Sequence, residues 1–184
     1  MHRFNRLLLI AAVCVSALVA ASVGIAMASG GHAAARVTVK TTGGATFAPN
    51  PKDPPNKMVV ETLRFSKGTI AVKSGGTVTW KSADKEGEPH TITLAKKSQL
   101  PKSFSDCKKP CQVASAHLND PNNPDAGIKA PVLNVGKPGL DRVGDSLVLA
   151  PKGKVSAKIS AKAGSTLYYI CAVHPWMQGK IIVK

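Results

Sequence analysis

The chain has 184 residues, a length that favours one domain, and 43% of them are hydrophobic, which suffices for a packed core. Aromatic residues make up only 4%, so the core must be built mainly from Val, Ile, Leu and Ala. A formal net charge of +15 is compatible with nucleic acid, an anionic membrane surface or an acidic protein as partner. The lysines are scattered singly, without interleaved aromatic side chains, which argues against nucleic acid and favours an acidic protein.

Residues 1–28 have the pattern of an export signal. Arg3 and Arg6 precede an almost wholly apolar run, and Ala26-Met27-Ala28 forms a cleavage site of the Ala-x-Ala type. Cleavage would remove two positive charges and leave 15 − 2 = +13. We therefore expect a periplasmic, extracellular or cell-surface protein. The apolar run is also long enough to span a bilayer, so an uncleaved N-terminal anchor that associates with the membrane is the alternative.

Residues 29–57 are predicted to be an N-terminal extension or linker. Residues 37–40 alternate and predict one short strand, whereas the Pro-rich passage at 48–56 cannot donate a continuous ladder of hydrogen bonds. The sequence thus places the start of the main domain, 58–184, at Met58.

From Met58 the chain alternates with a period of two, and 58–94 contains no convincing helical period. Ser74-Gly75-Gly76 is predicted to be a turn between two strands, the second of which places Val78 and Trp80 on one face. The predicted strands are 59–65, 69–73, 77–81, 91–94, 146–149, 155–159, 166–171 and 179–183. Strands at this spacing predict an all-β sandwich or barrel.

Residues 95–147 interrupt this rhythm with a passage rich in Pro and Asn. It is too long for a bare connection in a compact domain, so we interpret it as a functional or semi-ordered insertion. Cys107 and Cys111 lie within it, and two cysteines this close in an exported protein usually form a disulfide. We expect that disulfide to pin the loop locally.

Three metal-binding side chains follow one another at three-residue spacing between the last two predicted strands, namely Cys171, His174 and Met177. A thiolate, an imidazole and a weak thioether belong to the ligand set of a blue-copper site, which needs a second imidazole. His90, where a polar turn meets the strand 91–94, can supply it. Each residue alone is often structural, but the combination is hard to explain that way. Structural zinc rarely takes a thioether.

The chain resembles the cupredoxins, the small blue-copper proteins such as plastocyanin, pseudoazurin and amicyanin, over about 59–94 and 147–184. The resemblance rests on Ile70-x-Val72-x-x-Gly75-x-Thr77-Val78-x-Trp80, on Pro89-His90-Thr91 and on Cys171-Ala172-Val173-His174-Pro175-Trp176-Met177, which is most similar to the short ligand loop of amicyanin. It implies an antiparallel Greek-key β-sandwich that binds one type 1 copper through His90, Cys171, His174 and Met177. Thr91 stands where these proteins often have Asn, whose neighbourhood helps to hold the thiolate sulfur.

The resemblance also implies an electron carrier that cycles between Cu(I) and Cu(II), with His174 as the exposed edge of the site. Pro175 and Trp176 would then frame a small apolar patch for docking an acidic redox partner; alternatively, Trp176 plugs the core. A copper-storage or delivery protein is the alternative function. The sequence has neither the His-x-His pairs of multicopper oxidases nor a nucleophile–base constellation, so we do not expect an enzyme.

Overall fold

The computed structural model describes residues 33–120 and 122–184, and the predictions for residues 1–28 lie outside them. Strands dominate the described residues, as the alternating sequence predicts. Their bounds are β1 Ala34–Thr42, β2 Ala45–Pro49, β3 Lys57–Glu61, β4 Arg64–Phe65, β5 Thr69–Lys81, β6 His90–Ala95, β7 Val132–Leu133, β8 Ser146–Leu149, β9 Lys154–Lys158, β10 Thr166–Ile170 and β11 Gln178–Val183. No helix among these residues has the length and apolarity to cross a bilayer.

Strand β5 belongs to two layers, because its first residues pair with β11 and its last residues pair with β1 and β9. One layer runs β5-β11-β10-β6-β8-β7, and the other contains β4, β1, β5 and β9. Across the core, the ring of Tyr169 on β10 lies 5.8 Å from that of Trp80 and 5.0 Å from that of Phe65. The predicted all-β sandwich is confirmed. Its pairing is mixed rather than wholly antiparallel, because β5 runs parallel to both β1 and β11.

The predicted turn at Ser74-Gly75-Gly76 is a bend inside β5 instead. The register of β5 against β1 shifts there. Gly75 has φ +78°, in the left-handed region that glycine tolerates. A Cβ on Gly76 would lie 2.7 Å from the carbonyl oxygen of Ala35. The two glycines therefore let a single strand pass from one layer to the other.

The N-terminal part of the described chain contributes more to the domain than the sequence predicts. Strand β1 is longer than the predicted 37–40 and carries the fully buried Val39, so the domain begins before Met58. The single strand predicted at 59–65 divides into β3 and β4. Strands β2 and β3 form a separate two-stranded hairpin, on which Phe47 and Val59 are 75% and 53% exposed.

The insertion at 95–147 contains regular structure that the sequence pattern did not reveal. Helix α1 spans Lys109–Ala116, three short 3₁₀ turns flank it, and β7 pairs with β8 at the edge of the sheet. The Cys107 and Cys111 sulfur atoms lie at bonding distance, and their Cα atoms are 5.7 Å apart, which is within the range for a disulfide. Helix α1 contacts β6 and β7 pairs with β8, so the insertion packs on the β6–β8 side of the sandwich.

Candidate metal centre

Strand pairing brings the predicted ligands to one end of the sandwich. Strands β10 and β11 are antiparallel neighbours, and the pair Ile170–Gln178 closes the loop that carries Cys171, His174 and Met177. Strand β6 pairs with the other edge of β10, so its first residue, His90, reaches the same end. The 80 residues between His90 and Cys171 therefore do not separate them in space.

The donor atoms of the two histidines converge on the cysteine sulfur. Cys171 Sγ lies 3.8 Å from His90 Nδ1 and 3.7 Å from His174 Nδ1. One donor atom from each residue falls within 4.8 Å of the others, close enough to share one metal ion. Met177 is fully buried at the end of the same loop, where its N–H and C=O bond to His174 and Cys171. The structure thus brings the four predicted residues together.

Each histidine is held from behind by a carboxylate. His90 Nε2 lies 3.0 Å from Asp84 Oδ2, and His174 Nε2 lies 2.6 Å from Glu88 Oε2. A carboxylate accepts a hydrogen bond, so Nε2 carries a proton in both rings, and in the neutral ring the lone pair of Nδ1 faces Cys171. Carboxylates in this outer position orient imidazole ligands and raise their basicity.

Asp84 organises the loop between β5 and β6. Burial opposes its ionisation, but hydrogen bonds from Thr41, His90 and backbone N–H groups, including that of Glu88, outweigh burial and hold the pKa of Asp84 far below its usual value. Burial lowers the pKa of His90, against the opposite effect of Asp84. The lowered pKa favours the neutral ring, which is the form that binds a metal.

The Cys171 sulfur is fully buried and accepts N–H groups from Thr91 and His174, each at 3.4 Å. Burial raises the pKa of the Cys171 thiol, and these hydrogen bonds oppose it only in part. A buried thiolate at this position therefore needs the positive charge of a metal ion.

Thr91 fastens β6 to the ligand loop. Its hydroxyl oxygen accepts the N–H of Ala172 at 2.7 Å, while its own N–H points to Cys171 Sγ. Thr91 stands where cupredoxins often have Asn, and these two hydrogen bonds show that Thr91 itself can hold the region around the cysteine sulfur.

The expected exposure of the site differs from the structure at two residues. His174 is 5% exposed and Glu88 covers its outer nitrogen, so it is not the exposed edge that the resemblance implies. Pro175 is buried as well. Trp176, by contrast, is 43% exposed, which excludes the alternative of a core plug. Its ring lies 5.4 Å from that of His174, edge to face.

Sequence reasoning missed the residues that surround the ligands. Asp84 and Glu88 lie in a polar loop whose composition suggests only solvent exposure, although their proximity to His90 was a signal. His117 and Ser146, whose side chains hydrogen bond to each other, are separated from the ligands in sequence, and no local pattern identifies them. Their roles depend on contacts made across the sheet.

The donor set is that of a type 1 copper site. Copper(I) favours soft sulfur and copper(II) accepts imidazole, and a buried thiolate with two imidazoles and a thioether satisfies both. Hard cations prefer oxygen ligands, and structural zinc seldom uses a thioether. The Nδ1 atom of each ring faces the sulfur, so the residues fit copper without a change of tautomer.

No protein-family model matches the sequence, and no curated protein matches it. Among solved structures, a reduced auracyanin from Roseiflexus castenholzii is 18% identical, with a TM-score of 0.40 over 83% of this chain and 98% of that chain. A purple cupredoxin from Nitrosopumilus maritimus is 15% identical, with a TM-score of 0.40 over 80% and 99%. Amicyanin from Paracoccus versutus is 16% identical, with a TM-score of 0.39 over 83% and 90%. The role of each residue here therefore rests on the contacts described above.

Proposed function

We propose that the protein is an exported type 1 copper protein that carries single electrons between redox partners. The observation that carries this proposal is the convergence of His90, Cys171 and His174 at buried strand ends, with Met177 closing the loop. The export signal predicted at residues 1–28 supports a location outside the cytoplasm.

The chain's part in electron transfer is to hold the ligands still. Asp84 and Glu88 fix the two imidazole rings, and Thr91 fixes the backbone beside Cys171. Bound copper supplies a one-electron couple between Cu(I) and Cu(II). Ligands locked by hydrogen bonds on strand ends move little when the charge of the metal changes, and burial excludes water; both favour fast transfer.

The burial of the ligands favours an electron carrier over a copper-storage or delivery protein. A delivery protein must present its metal to an acceptor, whereas Cys171, His90 and Met177 are fully buried and His174 is nearly so. Exchange of the metal would require the ligand loop to open against its closing hydrogen bonds. Retention of the metal during redox cycling is therefore the expected behaviour.

Trp176 offers the electron a route to the surface. Its ring is 43% exposed and lies 5.4 Å from the ring of His174, edge to face. Val59 and Glu61 of the β2–β3 hairpin line a shallow groove with it. Phe47 pairs with Val59 across the hairpin and therefore extends the same face of it, 75% exposed. We name Trp176, Val59 and Phe47 the docking face; a small apolar contact suits a transient redox complex.

An acidic partner is the proposal that the charge favours. The chain carries a net +15, which becomes +13 when the predicted signal is removed. A strongly basic carrier attracts an acidic protein and raises the encounter rate at low salt. Stopped-flow electron transfer to an acidic redox protein should therefore slow as ionic strength rises. A rate that is flat or increases with salt would remove the acidic partner from the proposal.

Repeated redox cycling tests the proposed function. We expect the copper-loaded protein to show a reversible one-electron couple in voltammetry and to retain its copper, measured after desalting, through many cycles in the presence of a copper(I) chelator. Loss of the metal to the chelator in the reduced state, on the timescale of one turnover, would favour delivery instead.

A further inference from the structure

We propose that His117, in the insertion, sets the direction of a buried chain of hydroxyl groups that ends at the ligand loop and so tunes the metal–thiolate site. The chain passes through Ser146, Thr93 and Thr91 to the N–H of Ala172, next to Cys171. The effect on copper rests on the proposed function, but the direction in which the hydroxyl groups donate their hydrogen bonds does not depend on a metal.

His117 follows helix α1 and is 1% exposed. Its Nδ1 contacts the carbonyl oxygen of Ala130, and its Nε2 lies 2.8 Å from Ser146 Oγ. A carbonyl only accepts, so Nδ1 carries the proton. In the neutral ring Nε2 is then an acceptor, and the hydroxyl of Ser146 must donate to it.

The remaining hydrogen bonds follow one after another, since each hydroxyl has a single proton. The Ser146 hydroxyl donates its single proton to His117, so Ser146 Oγ accepts the hydrogen bond from the Thr93 hydroxyl at 2.7 Å. The hydroxyl of Thr91 in turn donates to Thr93 Oγ1 at 2.9 Å, and Thr91 Oγ1 accepts the N–H of Ala172. Every proton in the chain is therefore turned toward His117.

Strand pairing places these hydroxyl groups next to one another. Thr91 and Thr93 are two residues apart on β6 and so face the same side. Thr93 pairs directly with Ser146 across β6 and β8. All three hydroxyl residues are at most 4% exposed, so water does not offer them another partner.

The consequence for the site lies at Thr91. Its hydroxyl lies beside Cys171 Sγ, but the hydroxyl proton is held by Thr93, so the donors to the sulfur are backbone N–H groups, among them those of Thr91 and His174. Hydrogen bonds around the cysteine sulfur tune the potential of such a site. Without an acceptor at Thr93, the released Thr91 hydroxyl would turn to the neighbouring sulfur and stabilise the reduced state.

The first test uses the copper-free protein labelled with ¹⁵N at histidine. We expect the NMR signals of His117 to report a neutral ring protonated at Nδ1. A ring protonated at Nε2, or at both nitrogens, would overturn the proposal, because the hydroxyl chain would then point toward the ligand loop. This measurement decides the direction even if the protein takes up no copper, which would refute the proposed function instead.

The second test uses Thr93→Val, which keeps the shape of the side chain and removes the hydroxyl, together with Thr93→Ser, which keeps the hydroxyl. In the copper-loaded protein we expect Thr93→Val to raise the reduction potential, to shift the thiolate-to-copper absorption to higher energy, and to make the copper–sulfur Raman band more sensitive to deuterium exchange than it is in the unmodified protein. Thr93→Ser should restore all three to the values of the unmodified protein.

Thr79→Val is the matched control, because Thr79 also bonds a serine across a strand pair, Ser156, but on an exposed surface away from the chain. It should leave the potential and the spectrum unchanged. If Thr93→Val lowers only the melting temperature and matches Thr79→Val in potential and Raman band, the hydroxyl chain is a structural tie and the proposal is wrong.

Discussion

Glu88 Oε2 accepts a 2.6 Å hydrogen bond from His174 Nε2, at the edge of the metal centre where an exposed imidazole was expected. The carboxylate is 35% exposed while the ring it covers is 7% exposed. Glu88 therefore stands between the ligand and solvent, and its negative charge is close enough to stabilise the more positive oxidation state of the metal.

Glu88→Gln should raise the reduction potential, because the amide can keep the hydrogen bond but not the charge. We expect a rise on the order of tens of millivolts, since about 59 mV corresponds to a tenfold change in a one-electron equilibrium. Voltammetry measures it. Glu86→Gln, which removes the same charge two residues away, is the control and should shift the potential less. Equal shifts in the two variants would mean that only net charge matters.

Trp176→Ala should slow electron transfer to a partner while leaving the blue absorption nearly unchanged, because the ring touches His174 but offers no ligand atom. A loss of about tenfold corresponds to about 1.4 kcal/mol of docking free energy. Stopped-flow kinetics measure the rate. Val143→Ala, at a residue 41% exposed near the opposite ends of β6 and β10, is the control. Equal rates in both variants would show that the partner docks elsewhere, and the 95–147 insertion would be the next surface to test.

The ligand set was predictable from sequence because a thiol, an imidazole and a thioether within seven residues leave few alternatives, and the strand after His90 was evident from alternation. The exposure of His174 was not predictable. It depends on Glu88, which reaches the ring only because Asp84 binds the backbone N–H of Glu88 and folds the loop back. Such loop contacts have no sequence period.

The strands were predicted best where burial alternates along the strand, as in 179–183, which matches β11 except for its first residue. The prediction was wrong at Gly75 and Gly76, because adjacent glycines usually indicate a turn, whereas here they bend a continuous strand. For β1 the sequence predicted only the short strand 37–40, because the role of β1 as a core strand depends on parallel pairing with the distant β5. Helix α1 is too short for its pattern to appear above the surrounding loop.

Cys107 and Cys111 should be joined by a disulfide in the exported protein, with Cys171 free, and mass spectrometry of non-reduced peptides checks this. The ring is so small that replacing both cysteines by serine should cost about 2 kcal/mol or less on loop-entropy grounds. The blue absorption should persist in that variant, because the pair lies outside the ligand set. A native disulfide that contains Cys171 would contradict both the pairing and the metal site.

Gly179→Ala should destabilise the sandwich. Gly179 pairs with Tyr169 across β11 and β10, and a Cβ there would lie 2.2 Å from the Tyr169 ring. The fully buried ring cannot move freely, so we expect a loss of about 1–3 kcal/mol, as for overpacked cores. Gly68→Ala, where an added Cβ meets nothing within 4 Å, is the control. Urea unfolding compares the two, and similar midpoints would show that the ring is free to shift.

The visible absorption spectrum during a titration with copper(II) tests the metal centre most directly. We expect the protein with a reduced thiol to bind one copper and turn blue through charge transfer from the Cys171 thiolate, and Cys171→Ser to lose the colour while remaining folded by circular dichroism. Stoichiometric uptake of copper without colour by the unmodified protein would contradict the type 1 site formed by His90, Cys171, His174 and Met177.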